Sequence, residues 1–208
     1  MKITEFNLGP LGANCYLLSE NGKDAVLVDA GGADDDLISY LEENEISLKA
    51  ILLTHGHYDH IMGVSKLREI TGAKVYIHDY DAELTTSSEK NRAAYHFPKE
   101  YYVPFSADCL FNDGDVINEA GMKFAVMHCP GHTRGSSCFI IDNKIFCGDA
   151  VFKGSIGRSD MYGSDPIVQR AALMQFYELK SDYEMYCGHG ENTTLNYELK
   201  TNPFLLRR

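Results

Sequence analysis

Residues 49–63 read KAILLTHGHYDHIMG. Four apolar residues, Ala50 to Leu53, run almost directly into His55, His57, Asp59 and His60. The chain has only 8 His in 208 residues, so three of them within six positions need a reason. An accidental H-x-H-x-D-H is expected on the order of once in a thousand such chains. A zinc-binding helix would space its histidines three or four apart, as in H-E-x-x-H. Here His55, His57 and Asp59 alternate and His60 breaks the alternation, which predicts an extended strand end or loop that turns back on itself. Neutral imidazole and carboxylate are the ligands that borderline and hard divalent cations prefer. A metal site therefore accounts for the motif better than a polar, solvated turn does.

The segments around this turn predict alternating strands and helices. KITEFNLG and ANCYLLSE are strand-like, Asn21-Gly22 gives a two-residue turn signal, and Val26 to Val28 is a buried strand stopped by Asp29 and two glycines. Leu37, Ile38, Leu41 and Ile46 lie at helical spacing over residues 33–45. After the histidine turn, a helix is expected from about Ile61 to Ile70, closed by Thr71-Gly72, and then a strand AKVYIHD. Residues 79–106 carry two prolines and several aromatics, and predict a short helix plus a loop lying over the face of the domain. The second half repeats the logic. DVINEAG, MKFAVMHC, SCFIID and KIFCGDAVF are strand-like, Ser164-Asp165-Pro166 opens a helix, YEMYCGHG is a last strand, and a short helix follows. Two similar halves without a linker predict one α/β domain over residues 1–208, with sheets face to face and helices outside.

Bulk properties narrow the function. Lys plus Arg 19 against Asp plus Glu 30 gives a net charge of −11, which argues against nucleic acid and against an anionic membrane surface as partners. No apolar run approaches the roughly 20 residues that span a bilayer, and the N-terminus lacks a signal-peptide core. The six cysteines form no C-x-x-C pair, so reduced thiols in a cytoplasmic protein are the expectation. Cys129, Cys147 and Cys187 read as small buried strand residues. The remaining partner is a small-molecule substrate.

Three further candidates stand at the ends of strand-like runs: His132 in CPGHT, Asp149 in CGDAVF and His189 in CGHG. A glycine precedes each, which lets the strand turn sharply and present the side chain. With the first turn this makes seven groups: His55, His57, Asp59, His60, His132, Asp149 and His189. One zinc ion takes three or four ligands. Seven fit two ions sharing a carboxylate.

THGHYDH at 54–60, PGHT at 130–133, GD at 148–149 and GHG at 188–190, in that order and with VDAGG at 28–32, resemble the metallo-β-lactamase superfamily. GSIGRSD at 154–160 resembles its small hydroxyacylglutathione-hydrolase-like (glyoxalase II-like) branch. The resemblance implies a four-layer αββα sandwich with metals at the sheet edges. It also implies that His55, His57 and His132 bind one ion and that Asp59, His60 and His189 bind the other. Asp149 would bridge the two together with a hydroxide, so Asp59 and Asp149 are the candidate catalytic carboxylates. Zinc is the first expectation for both ions, with iron or manganese as alternatives. Asp29 resembles the family's aspartate that buttresses the histidine turn. Lys153 and Arg158, in the loop after Asp149, are the candidate substrate-binding residues, because the corresponding loop offers a basic residue to the thiol half of a thioester.

The chemistry expected is hydrolysis of a small thioester. A thiol has a pKa near ~8.5, so a thiolate departs with little help from an acid, whereas an amine needs a proton donor. Full-length glyoxalase II enzymes carry a C-terminal helical extension that helps hold glutathione, and residues 190–208 are too few for it. The resemblance thus implies the hydrolytic mechanism more directly than the substrate. The alternatives are a mono-iron persulfide dioxygenase on the same fold, separable by metal content and oxygen uptake, and a metal-binding module without turnover.

Overall fold

Strand residues in this chain are buried on alternate faces in both directions, and that pattern dictates a layered sandwich. A computed structural model describes residues 1–206; the last two positions of the expected domain lie outside them. The first sheet contains β1 (Lys2–Leu8), β2 (Ala13–Ser19), β3 (Asp24–Val28), β4 (Ser47–Leu52), β5 (Lys74–His78) and β6 (Cys109–Phe111), in that spatial order. The second contains β7 (Val116–Glu119), β8 (Met122–His128), β9 (Ser137–Ile141), β10 (Lys144–Gly148), β11 (Glu184–Cys187) and β12 (Thr193–Thr194), again in sequential order. β3, β4, β5 and β6 pair in parallel, as do β10 and β11; the other pairs are antiparallel.

The period of two along each strand feeds two different interfaces. Tyr16, Leu18, Val26, Val28, Ala50 and Leu52 meet Phe124, Val126, Phe139 and Phe146 of the facing sheet. The residues between them, Cys15, Leu17, Ala25, Leu27 and Ile51, face outward onto α1 (Asp35–Glu43), α2 (Tyr58–Ile61) and α3 (Val64–Thr71), through Leu37, Leu41, Ile61, Val64 and Leu67. On the far side, Cys138, Ile145, Cys147 and Met185 pack on α4 (Pro166–Leu173) and α5 (Leu195–Thr201), through Ala172, Leu173 and Leu195. The layers are therefore αββα, as expected. Each fully buried Phe or Leu in the central layer contributes roughly 2–3 kcal/mol by its removal from water.

The boundaries differ from expectation in three places, each for a physical reason. The helix expected from Ile61 is two helices, and the first already begins at Tyr58, so Asp59 and His60 sit on a helical turn. The break falls at Gly63, whose N–H donates to Ala30 O (2.8 Å) and where a Cβ would lie 2.2 Å from the Gly32 carbonyl. The helix steps around the Gly31-Gly32 backbone there. The turn at Asn21-Gly22 spans more than two residues, because Leu18 pairs with Val26 and the Asn21 side chain accepts from Lys23 N and Asp24 N. Residues 79–106 hold three short 3-10 turns, at Asp79–Leu84, Ala93–Tyr95 and Lys99–Tyr101, in place of a helix. Ser164-Asp165-Pro166 opens α4 as expected, with Pro166 at the first helical position, and the structure shows Asp165 as its cap, accepting from Ile167 N and Val168 N. Among the described residues no helix is long and apolar enough to cross a membrane.

Candidate metal centre

β3, β4, β10 and β11 run so that their C-terminal ends meet along one edge of the sandwich. The turns that follow these strands are stitched together there. Asp29 N donates to Leu52 O (2.9 Å), Ser137 N to Thr54 O (2.9 Å) and Gly188 N to Gly148 O (2.9 Å). His55 and His57 follow β4, Asp149 follows β10, and His189 follows β11. His132 stands in the loop between β8 and β9. Asp59 and His60 are delivered by α2.

The seven expected groups converge. Ligand atoms of His55, His57 and His132 lie within 4.8 Å of one another, as do those of Asp59, His60 and His189. A third such group takes Asp149 with His55 and His60, one residue from each triad. Asp149 Oδ2 is 3.4 Å from His132 Nε2, and its Oδ1 is 3.3 Å from His60 Nε2 and 3.8 Å from His189 Nε2. The carboxylate thus faces both triads. All seven are buried except His189, which is half-buried.

The outer partners fix which ring nitrogen is free, an assignment made from the hydrogen-bond network. His132 Nδ1 donates to Arg158 O (2.7 Å), so its Nε2 carries a lone pair in the neutral ring. The Thr54 hydroxyl donates to Asp29 Oδ2 (2.8 Å) and accepts from His55 Nδ1 (3.1 Å), which leaves His55 Nε2 free as well. These two Nε2 atoms then face each other at 3.2 Å with no proton between them. His60 Nδ1 donates to Asp29 Oδ2 (2.9 Å), turning Nε2 to the cluster. His57 Nε2 and Asp149 Oδ1 are buried without a hydrogen-bond partner among the described residues. The opposed lone pairs and the orphaned Asp149 oxygen are costly in a protein interior, and a cation resolves both; His57 turns Nδ1 into the same cluster, 2.9 Å from His132 Nε2. The donor set, five imidazoles and two carboxylates, fits a pair of divalent ions.

The electrostatics agree. Burial first, then the neighbouring imidazoles, hold His55 well below the ordinary histidine pKa and His57 down to about 3, so both rings are neutral, the state in which imidazole can take a metal. Burial also disfavours charge on His60, but Asp149, Asp29 and Asp59 outweigh it and raise its pKa well above the usual value. Asp59 and Asp149 are lowered despite burial, chiefly by His60. The carboxylate charge that favours a proton on His60 is the charge a divalent cation would neutralise.

Asp29 holds the whole turn. It adopts φ 59, a left-handed conformation costing roughly 1–2 kcal/mol in a non-glycine residue, and it takes Thr54 N (2.8 Å), the Thr54 hydroxyl and His60 Nδ1. Asp81 does the same between the two halves, and nothing local in the sequence marks it. Its fully buried carboxylate accepts from Gly56 N (2.9 Å), Thr133 Oγ1 (2.7 Å) and Gly135 N (2.7 Å). Gly188 lets the bridging carboxylate approach, since a Cβ there would meet Asp149 Oδ1 at 2.4 Å.

A cleft of about 450 Å³ opens over the cluster, lined by His57, Asp59, His132, Asp149 and His189. Tyr58, Arg92, His96 and Arg158 add polar lining, and Leu11, Phe152 and Met161 apolar lining. Arg158 therefore reaches the cleft, but its guanidinium is held in a two-pronged pair by Asp160 (2.6 and 2.7 Å). Lys153 is not among the lining residues and pairs with Glu191. Arg92 and His96 come from the 79–106 segment. His96 stacks on Tyr58, with ring centroids 5.1 Å apart and planes at 30°.

A family model described as the metallo-beta-lactamase superfamily matches residues 8–189. The hydroxyacylglutathione hydrolase GloC of Haemophilus influenzae is 33% identical over 198 residues, covering 92% of this chain and 92% of its own. Among solved structures, the BLEG-1 B3 metallo-beta-lactamase is similar with a TM-score of 0.92 at 31% identity, over 98% of this chain and 99% of that one. TTHA1623 in a di-iron-bound form gives a TM-score of 0.85 at 32% identity, over 97% and 100%.

Proposed function

The chain belongs to the metallo-beta-lactamase superfamily, and on that premise we propose that it is a dinuclear metal-dependent hydrolase of a small thioester. The observation that carries this reading is the convergence of two triads on one carboxylate, with Asp149 Oδ1 orphaned between them, at the floor of an open cleft. His55, His57 and His132 would hold one cation, Asp59, His60 and His189 the other, and Asp149 would face both. Such ions supply a water nucleophile at neutral pH and polarise the substrate carbonyl. Zinc is the first candidate for both; the di-iron form of TTHA1623 keeps iron in view.

The chain's own residues prepare that chemistry. The Arg158 carbonyl holds the proton of His132 on Nδ1, and Asp29 holds that of His60 on Nδ1, so both present Nε2 to the floor. Tyr58 and His96 form a stacked wall beside it. The leaving group decides the substrate class. A thiolate departs unassisted near neutral pH, and the likeness to GloC supports the same choice. An amide or lactam nitrogen needs a proton on departure, for which His96 is the cleft's one histidine outside the ligand set.

The test is an assay of metal-loaded protein on a panel of S-acyl glutathiones, with a chromogenic beta-lactam and a glutathione persulfide in parallel. Release of free thiol at pH 7, abolished by chelation, is the expected result. Oxygen consumption with the persulfide, or lactam opening without any thioester turnover, would replace the reading.

A further inference from the structure

The loop from 85 to 96 has no regular periodicity, yet it is pinned to the metal-binding turn with unusual care. Tyr58 N, next to Asp59, donates to Asn91 O (3.0 Å). The Asn91 side chain is fully buried, donating to Leu84 O (2.9 Å) and accepting from Ala93 N (2.9 Å). Between these anchored neighbours stands Arg92, in the left-handed region at φ 76. An arginine in that conformation costs roughly 1–2 kcal/mol that glycine would not. Strain of this kind persists where surrounding structure enforces it, and here it delivers a guanidinium to the cleft wall.

The two arginines of the cleft differ in what they offer a ligand. Arg158 has its donors engaged by Asp160 in a two-pronged pair. Arg92 lies over the Tyr95 ring, 5.2 Å from its centroid, and makes no ion pair or side-chain hydrogen bond among the described residues. Its donors are therefore available, in a chain whose net charge of −11 otherwise disfavours anions. A guanidinium over an aromatic ring is also held in orientation, which lowers the entropy lost when it grips a planar anion.

We infer that Arg92 is the anion-binding residue of the cleft, gripping a carboxylate of the substrate, and that Arg158 serves the site through its backbone carbonyl. The assignment rests on the proposed thioesterase reading and narrows it to carboxylate-bearing thioesters.

Two variants test it: Arg92→Gly, whose backbone suits φ 76, and Arg92→Lys, which keeps charge but loses the fork. Binding of S-methylglutathione, a carboxylate-bearing thioether that cannot be hydrolysed, is measured by calorimetry. Turnover is measured on S-acetylglutathione and on the uncharged S-acetyl-N-acetylcysteamine. Arg92→Gly should weaken S-methylglutathione binding and raise KM for S-acetylglutathione about ten- to a hundredfold, the loss of a charged two-pronged contact. The uncharged thioester should change by no more than about twofold, with Arg92→Lys intermediate on the charged one. Unaltered S-methylglutathione binding in Arg92→Gly, equal losses on both thioesters, or no binding by the wild type would overturn the assignment. Arg92-dependent binding without turnover of either thioester would overturn the thioesterase reading and leave Arg92 in place.

Discussion

Replacing Asp81 with asparagine should cost both stability and metal affinity, although Asp81 is not among the seven converging groups. Its carboxylate takes Gly56 N and Thr133 Oγ1 on Oδ2 and Gly135 N on Oδ1. Gly56 lies between His55 and His57, and Thr133 follows His132, so one side chain fastens the turns that carry the first triad. An asparagine can keep two of the three contacts through its single oxygen, and its NH₂ group must then face the N–H of Gly135. Thr133 Oγ1 has Ser136 Oγ (2.7 Å) as an alternative partner, but the two glycine amides have none among the described residues. One charge-assisted hydrogen bond lost, at ~1.5–3 kcal/mol, and one buried amide orphaned, at ~1–3 kcal/mol, set the gross loss. Burial raises the Asp81 pKa, so removing the charge returns part of it, and the net is about 2–4 kcal/mol. For a chain of this size that corresponds to roughly 5–15 °C in Tm. Loosening the first triad should weaken metal binding about ten- to a hundredfold. Thermal unfolding with and without chelator, together with a metal titration, reads both effects. A variant that unfolds within a degree or so of wild type and binds metal equally well would refute the reasoning.

Asp149→Ala should lose more metal and more activity than Asp59→Ala, because Asp149 faces both triads; two bound metals and near-normal turnover would contradict its bridging position. Gly188→Ala should do similar damage without touching a ligand, since its Cβ would stand 2.4 Å from Asp149 Oδ1 and 2.9 Å from His60 Cε1, and metal analysis of a normally folded variant checks it. A stability term should also come from His78, whose pKa is lowered to about 4, first by burial and then by the stacked His128. A histidine kept neutral in the fold stabilises it above the unfolded value near ~6.5, and that term is lost as pH falls toward 4, by up to about 3 kcal/mol. Urea titrations of metal-free protein at pH 7.5 and 4.5 should therefore show a weaker pH dependence in His78→Asn than in wild type, and equal dependence would count against it.

The convergence of the seven groups was legible in the sequence because they sit in short motifs that follow apolar, glycine-marked runs, although α2 and not the strand end delivers Asp59 and His60. The sandwich was legible for a related reason: the period of two in segments such as ANCYLLSE and SCFIID survives in the two interfaces those strands fill. What escaped depends on contacts distant in sequence. Asp81 has no local signature, and its three partners come from 25 to 54 residues away. Arg92 owes its position to Asn91 and Tyr58, not to any periodicity. β6 and β12 are three and two residues long, too short to show a pattern. The loop after Asp149 reads as two basic residues at the mouth of the site, but Asp160 and Glu191 engage both of them, and only Arg158 reaches the cleft.

The central claim is that two cations occupy the site, and elemental analysis of the purified chain after reconstitution with excess zinc, iron or manganese tests it most directly. Two ions per chain, falling when either His57 or His189 is replaced, is the predicted result. One ion or fewer per chain under every reconstitution would contradict the account.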